Sequence, residues 1–527
     1  MSLETPAFAV AGRDAPPRSG AMVEALRGLG YSAATALADI IDNSIAAGAR
    51  EVRLQFDWNG SASRITILDN GRGMDADGLD RAMRLGDRDP LEARASTDLG
   101  RFGLGLKTAS FSQCRRLTVA SRTRGELPVA LHWDLDILRD DPHGRWRLLD
   151  GFPARTADEA GQLDGAESGT LVIWDKMDRL TPPGLSEQAF LDRIDRIERH
   201  LAMVFHRYIE QRRLVIRING RAVAPWDPFL ENRPDTYRSG TDRFVVNGSP
   251  VSMEGFVLPH RDRLDPKIYE TAAGPDGWTA QQGFYVYRNE RLLVAGHWLG
   301  LGQPRAWAKD EPFRLARIRI DLTNTADADW TIDIRKSRAR PPLEARQRLQ
   351  TFAGDIKERA RRVFAHRGAP RSSSDRSPVV QAWTSERLKG GIRYRIDPAH
   401  PAVAAVIEQA GPLAGDIQAM LRVIEATVPV QQIWLDTAEA RDTPRPAETS
   451  APPEEIKAML EVMFRNLVGR RGLEPAAARD RLLHTEPFNA WPDLVAALAS
   501  PAPESLPCLP RKSSNLPRSS SWTQIAR

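Results

Sequence analysis

The chain has 527 residues, of which 41% are hydrophobic and 27% charged, with a net charge of +5 and a pI near 9.3. At roughly 100–200 residues per domain, about three domains are expected. Two cysteines, Cys114 and Cys508, exclude a disulfide framework, and no Cys/His spacing suggests zinc. No run of about 18 apolar residues is present to span a membrane. The N-terminus lacks the basic start and apolar stretch of a secretory signal, so a cytoplasmic location is expected. The positive charge permits nucleic-acid contact, but the arginines are spread along the chain and do not demand it.

In chain order, residues 1–20 read as a flexible tail. Residues 21–225 alternate helical and strand patterns: "EVRLQFDW", "SRITILDN", "RRLTVASRT" and "GTLVIWDKM" are strand-like runs, and 186–213 repeats apolar residues at helical spacing. A β-rich block follows over 226–366, with "FVVNGSPVSMEGFVL", "GFYVYRNERLLV", "RLARIRIDL" and "WTIDIRK" as strands and a helix at 343–365. A Pro/Ser/Arg-rich linker covers 367–389, a mostly helical domain 390–500, and a disordered tail 501–527.

Four short motifs carry chemistry. "ALADIIDNSIAAGA", residues 36–49, reads as a helix with Leu37, Ile40, Ile41, Ser44 and Ile45 on one face and with Asp39 and Asn43 stacked beside it. Buried polar groups there need partners, either a cap or loop, or a metal and phosphate. "ILDNGRGMD" ends a strand at Asp69 and then alternates Gly71 and Gly73, which suits either an ordinary turn or the close approach of a flat ligand. "LGRFGLGLKTAS", residues 99–110, sets Gly100, Gly103 and Gly105 before an apparent helix, an anion cradle in type. Its order is neither that of a Walker A loop nor that of a Rossmann fingerprint. "ESGTLVIWDKMD" opens a strand with Thr170 after Gly169.

Together these motifs, DxxDN, DxGxG, GxxGxG and GT at 39–43, 69–73, 100–105 and 169–170, resemble the N box and the three glycine boxes of the GHKL ATPases. That superfamily holds gyrase-type topoisomerases, ninety-kilodalton heat-shock chaperones, histidine kinases and MutL. Within it, the helix and the third motif look most like the MORC and MutL branch. The resemblance covers roughly residues 20–225. It implies an α/β class with a Bergerat-type ATP-binding α/β sandwich and a lid over about 75–105. A β-rich transducer domain and a mostly helical C-terminal domain would follow. ATP and Mg²⁺ are the implied cofactors. Asn43 would hold Mg²⁺, and Asp69 would accept from the adenine amine. Gly71, Gly73 and Met74 would wall the base, and Thr170 would close its pocket. Gly100, Arg101, Phe102, Gly103, Leu104, Gly105, Leu106 and Lys107 would cradle the phosphates. Asp39 would orient the attacking water, although the family usually has Glu there, and the shorter reach implies slow turnover. Lys336 of the transducer would reach the terminal phosphate; its other reading is a solvated lysine in a basic run.

The same resemblance implies an ATP-gated homodimeric clamp acting on DNA or a DNA-processing partner. Its C-terminal segments resemble bacterial proteins of restriction and phage-defence clusters, whose companions include helicase-like proteins, nucleases and methylases. A heat-shock-type chaperone is the alternative. It predicts an acidic linker, whereas the segment at 366–377 is basic. A signalling kinase fits least, because no helical His lies just upstream of the ATPase block.

Overall fold

The computed structural model describes residues 17–86 apart from Leu29, and 105–331 apart from residues 324, 325, 327 and 328. It also describes 339–365, 380–431 apart from residues 389 and 390, and residues 433, 454–485 and 488–498. Two compact units divide the chain, residues 1–368 and 369–527. The first 16 residues of the expected tail, the tail at 501–527 and most of the linker lie outside the described residues. So does most of "WTIDIRK".

The first unit begins with α1 (Ser19–Arg27) and α2 (Ala33–Ala46). Ser19 is fully buried and donates to Leu138 O, and Trp146 donates to Pro17 O, so the described packing includes the end of the expected tail. A reciprocal cap starts α2: Ser32 Oγ accepts from Thr35 N, and Thr35 Oγ1 accepts from Ser32 N. Eight strands follow: β1 (Glu51–Asp57), β2 (Arg64–Asp69), β3 (Arg116–Arg122), β4 (Val129–Asp134), β5 (Leu149–Asp150), β6 (Gly169–Asp175), β7 (Val215–Ile218) and β8 (Arg221–Ala222). They form one mixed sheet in the order β5-β4-β3-β6-β2-β1-β7-β8, in which only β1 and β7 run parallel.

Between the strands lie α3 (Ala76–Met83), α4 (Gly105–Phe111), α5 (Leu135–Asp140), α6 (Glu187–Val204) and α7 (His206–Glu210). Alternation in β1 sends Val52, Leu54 and Phe56 inward, where they join Leu37, Ile40 and Ile41 of α2 and Trp174 of β6 in one core. On the opposite face, Leu163 from the 3₁₀ segment Ala154–Leu163 covers Leu68, Ala120, Leu171 and Ile173. The central strands therefore bury both faces, which makes this an α/β sandwich.

A second sheet is built from β9 (Tyr237–Arg238), β10 (Asp242–Val246), β11 (Ser249–Val257), β12 (Gly283–Arg288), β13 (Arg291–His297) and β14 (Ala316–Leu322). Its order is β10-β11-β14-β12-β13, with β9 beside β11. The expected run "FVVNGSPVSMEGFVL" is a hairpin turned by Asn247 and Gly248, both with positive φ. Likewise, Asn289 and Glu290 turn β12 into β13 at φ of 48° and 66°. Helix α8 (Pro266–Ala272) precedes β12, and α9 (Leu343–Ala365) lays Leu349, Ala353 and Ile356 on this sheet. Lys357 of α9 points its ammonium at Trp298, Trp307 and Phe313, 4.1–4.8 Å from the ring centroids.

The second sheet docks on α6 and α7. Met203, Phe229, Phe256, Tyr285, Tyr287 and Leu292 form the dry centre of this contact. Around them, His206 Nε2 meets Tyr287 Oη at 2.8 Å, Arg207 lies 3.6 Å over the Tyr287 ring and pairs with Asp321, and Tyr208 donates to Asn289 O.

The second unit contains β15 (Trp383–Leu388) paired antiparallel with β16 (Gly391–Ile396), then α10 (Pro401–Gln409) and α11 (Ala414–Thr427). Helices Glu454–Arg465 and Pro475–Leu483 enclose Leu460, Phe464, Ala478 and Leu482. Strand β15 occupies residues that the composition assigns to the linker. Its Thr, Ser and Arg content hides a strand that only pairing with β16 reveals.

Tyr287 gives a test of the docking. Tyr287→Phe leaves the buried His206 ring nitrogen without its partner and should lower stability by about 1–3 kcal/mol. Tyr287→Ala should lower it by about 3–5 kcal/mol. Urea unfolding of the three proteins measures both, and equal stabilities would show that the docking contributes nothing.

Candidate functional site

The site is built from the end of β2 and the middle of α2. Asp69 is the last residue of β2 and is only 8% exposed. One carboxylate oxygen accepts from Gly71 N at 2.8 Å, the other from Ser44 Oγ of α2 at 2.8 Å. Burial raises its pKa above the ordinary carboxylate value, against the opposing pull of Gly71 N–H, the Ser44 hydroxyl and the Thr170 backbone. Thr170 is its cross-strand neighbour on β6. Thr170 Oγ1 and Ser121 Oγ of β3 lie 2.9 Å apart, and Ser121 Oγ also accepts from Met74 N. Ser168 Oγ donates to Gly71 O. Asp69, Gly71 and Met74 from one motif and Thr170 from another are thus drawn into one hydrogen-bonded cluster.

Glycine is obligatory at two places in that cluster. Gly73 has φ +70°, and a Cβ there would lie 1.9 Å from Arg122 O. A Cβ on Gly169 would lie 2.3 Å from Asp69 O. Both let loop backbone press on strand backbone, which fixes the path of 69–74.

On α2, Asp39 and Asp42 are buried and Asn43 is exposed. The side chain of Asn43 takes no hydrogen bond among the described residues, so its carbonyl oxygen is open at the surface. Asp42 meets Arg291 of β13, whose Nε lies 3.2 Å from both carboxylate oxygens. Nη2 of the same guanidinium lies 3.9 Å from Asp39 Oδ1. His200 of α6 lies near this charge; burial and the guanidinium push its pKa down to about 4, which leaves it neutral at physiological pH.

Gly105 and Leu106 open α4, which packs beside α2. Lys107 is 3% exposed and donates to Ala82 O at the end of α3, at 2.8 Å. Gly100, Arg101, Phe102, Gly103, Leu104 and Lys336 lie outside the described residues. Sequence reasoning did not select Ser44, Ser121 or Arg291 for the site. Ser44 was legible as a hydroxyl on the apolar face of α2. The other two announce themselves only through strand pairing and domain docking.

Two variants test this geometry without any ligand. Gly73→Ala combines an unfavourable φ with a backbone clash and should destabilise the chain by about 2–6 kcal/mol in urea unfolding. Asp69→Asn should behave oppositely. A carboxyl whose folded pKa is raised binds its proton more readily in the native state, so its penalty is absent at low pH. That penalty grows as pH rises through the native value. The unliganded Asn variant should therefore be no less stable than wild type at pH 7, with its advantage shrinking as pH falls. Thermal melts from pH 4 to 8 would reveal the opposite trend if the carboxylate were stabilising.

Residues 31–170 match the family model described as histidine kinase-, DNA gyrase B- and HSP90-like ATPase. No curated protein is significantly similar to the chain. The matched segment runs from the cap of α2 to Thr170, the residue that pairs with Asp69, and so contains the site residues described above except His200 and Arg291. The donor set suits a nucleotide: a buried carboxylate for an amine, hydroxyls beside it, and an exposed amide oxygen on the adjoining helix for a hard cation. By this match, residues 31–170 are similar to the ATPase domain of the GHKL superfamily.

Proposed function

We propose that the chain binds ATP with Mg²⁺, hydrolyses it slowly, and works as an ATP-gated dimeric clamp of the MORC and MutL kind. Its action would be on DNA or on a DNA-processing partner, in bacterial restriction or phage defence. The observation that carries the reading is that the matched segment holds Asp69 in a buried hydrogen-bond cluster tied through Ser44 to the helix of Asn43.

In this reading, Asp69 accepts from the adenine amine, Gly71, Gly73 and Met74 wall the base, and Thr170 closes its pocket. Asn43 is the protein ligand to Mg²⁺, which neutralises phosphate charge when bound. The glycine-rich stretch from Gly100 to Lys107 faces the phosphates. Asp39, one helical turn before Asn43, orients the lytic water. Asp is one methylene shorter than Glu, which shortens its reach to that water and supports slow turnover. The second sheet, docked on α6 and α7, takes the transducer role, with Lys336 directed at the terminal phosphate. Among the described residues, no helix is long and apolar enough to cross a membrane.

Calorimetry tests the pocket. Asp69→Asn should weaken ATP binding by roughly 10- to 150-fold, the equivalent of about 1.5–3 kcal/mol for a hydrogen bond to a charged group. Asp39→Ala should retain ATP and lose phosphate release. Unchanged affinity in the first variant would remove Asp69 from the base pocket, and unchanged turnover in the second would remove Asp39 from the chemistry.

The clamp is tested by light scattering and by DNA binding at several salt concentrations, with and without a non-hydrolysable ATP analogue. The analogue should convert monomer to dimer and raise DNA affinity. Lys336→Ala should impair that conversion while leaving ADP affinity unchanged, because only an ATP-specific contact can shift the equilibrium. A monomer in every state, or normal closure by the Lys336 variant, would count against the clamp and its coupling respectively.

A further inference from the structure

The geometry points to Arg291 as a positioning residue that the second sheet supplies to the nucleotide-binding helix α2, fixing the helix at Asp42 so that Asp39 and Asn43 face the site. The inference rests on the ATPase reading above and goes beyond it, because Arg291 lies outside the matched segment.

Arg291 is the first residue of β13, directly after the Asn289–Glu290 turn, and its side chain is 5% exposed. All three arms of the guanidinium have an assigned direction. Nε is shared equally by the two Asp42 oxygens at 3.2 Å, Nη1 donates to Leu292 O at 2.7 Å, and Nη2 faces Asp39 Oδ1 at 3.9 Å. The last distance is within ion-pair reach and beyond a hydrogen bond. Arg291 thus attracts Asp39 without bonding to that oxygen. The ring of Phe205 lies 5.9 Å from the guanidinium carbon, and His200 nearby is uncharged at neutral pH, so neither opposes the cation.

Helical geometry gives this contact its leverage. Asp39 and Asp42 are three residues apart and share a face, and Asp42 immediately precedes Asn43. A planar cation held at Asp42 therefore sets the rotation of α2 about its own axis at the two residues read as water-orienting and metal-binding. A buried ion pair is a weak source of stability compared with apolar packing, whereas a fork of fixed directions is well suited to holding an angle. Because β13 carries Arg291, the angle depends on the second sheet being docked.

The test compares Arg291→Met and Arg291→Lys with Tyr287→Phe, all in the full chain. Tyr287→Phe weakens the same domain contact without touching α2 and serves as the control for stability alone. The readouts are melting temperature, ATP affinity, turnover well below melting, and amide hydrogen exchange of α2 in the nucleotide-free protein. Arg291→Met should lower kcat by about ten-fold or more with ATP affinity nearly unchanged, and should speed exchange across α2. Arg291→Lys should fall between it and wild type. Tyr287→Phe should lose stability while keeping kcat and α2 protection. Wild-type kcat and exchange in Arg291→Met would overturn the proposal. So would losses of kcat that track melting temperature across all three variants. Failure of the wild-type chain to bind ATP would instead overturn the nucleotide reading, while the exchange comparison would still report whether Arg291 holds α2.

Discussion

An apolar helix can carry polar groups into a core only if each finds a partner, and in α2 those partners come from separate elements. Ser44 is satisfied by Asp69 from the end of β2. Asp42 is satisfied by Arg291 from the second sheet. The first turn is satisfied internally by Ser32 and Thr35. Leaving a buried polar group unmade costs about 1–3 kcal/mol, and more for a charge. The position of α2 is thus dictated as much by the two contacts to Asp69 and Arg291 as by Leu37, Ile40 and Ile41 beneath it.

The same requirement separates two kinds of chemistry around the helix. On the sheet side, hydroxyls and backbone N–H groups surround a single carboxylate, an arrangement suited to reading a neutral ligand edge. On the side of the second sheet, two carboxylates meet one guanidinium. Asn43 sits between the two with its side chain at the surface. The docking contact follows a related division. Phe229, Tyr285 and Tyr287 make a dry centre, while Arg207–Asp321 and Tyr208–Asn289 satisfy the rim.

Local patterns made much of this legible. β1, β2, β3 and β6 coincide with alternating or apolar runs and α9 runs over the expected 343–365, whereas the runs at 244–258 and 283–294, each expected as a strand, are hairpins turned at Asn247–Gly248 and Asn289–Glu290. β4 escaped notice because "VALHWD" mixes polar and apolar residues, and only its pairing with β3 makes it a strand. At the site, Asp69 and Gly73 were readable because a strand end and a glycine with positive φ are local facts. Ser121 and Arg291 were not, since their roles come from partners at 47 and 249 residues' separation. Lys107, expected from the resemblance among the phosphate-cradling residues, donates in the described structure to the carbonyl of Ala82, a partner 25 residues away that no local pattern names.

Both outermost strands of the eight-stranded sheet, β5 and β8, are only two residues long. Exposed strand edges are templates on which another chain can extend a sheet, and brevity is one way proteins blunt them. This sheet therefore offers almost no backbone to a visiting strand at either border. If two copies join, their contact is directed away from continuous β-addition across this sheet and toward side-chain faces, where sequence can specify the partner and a ligand can switch the contact on or off.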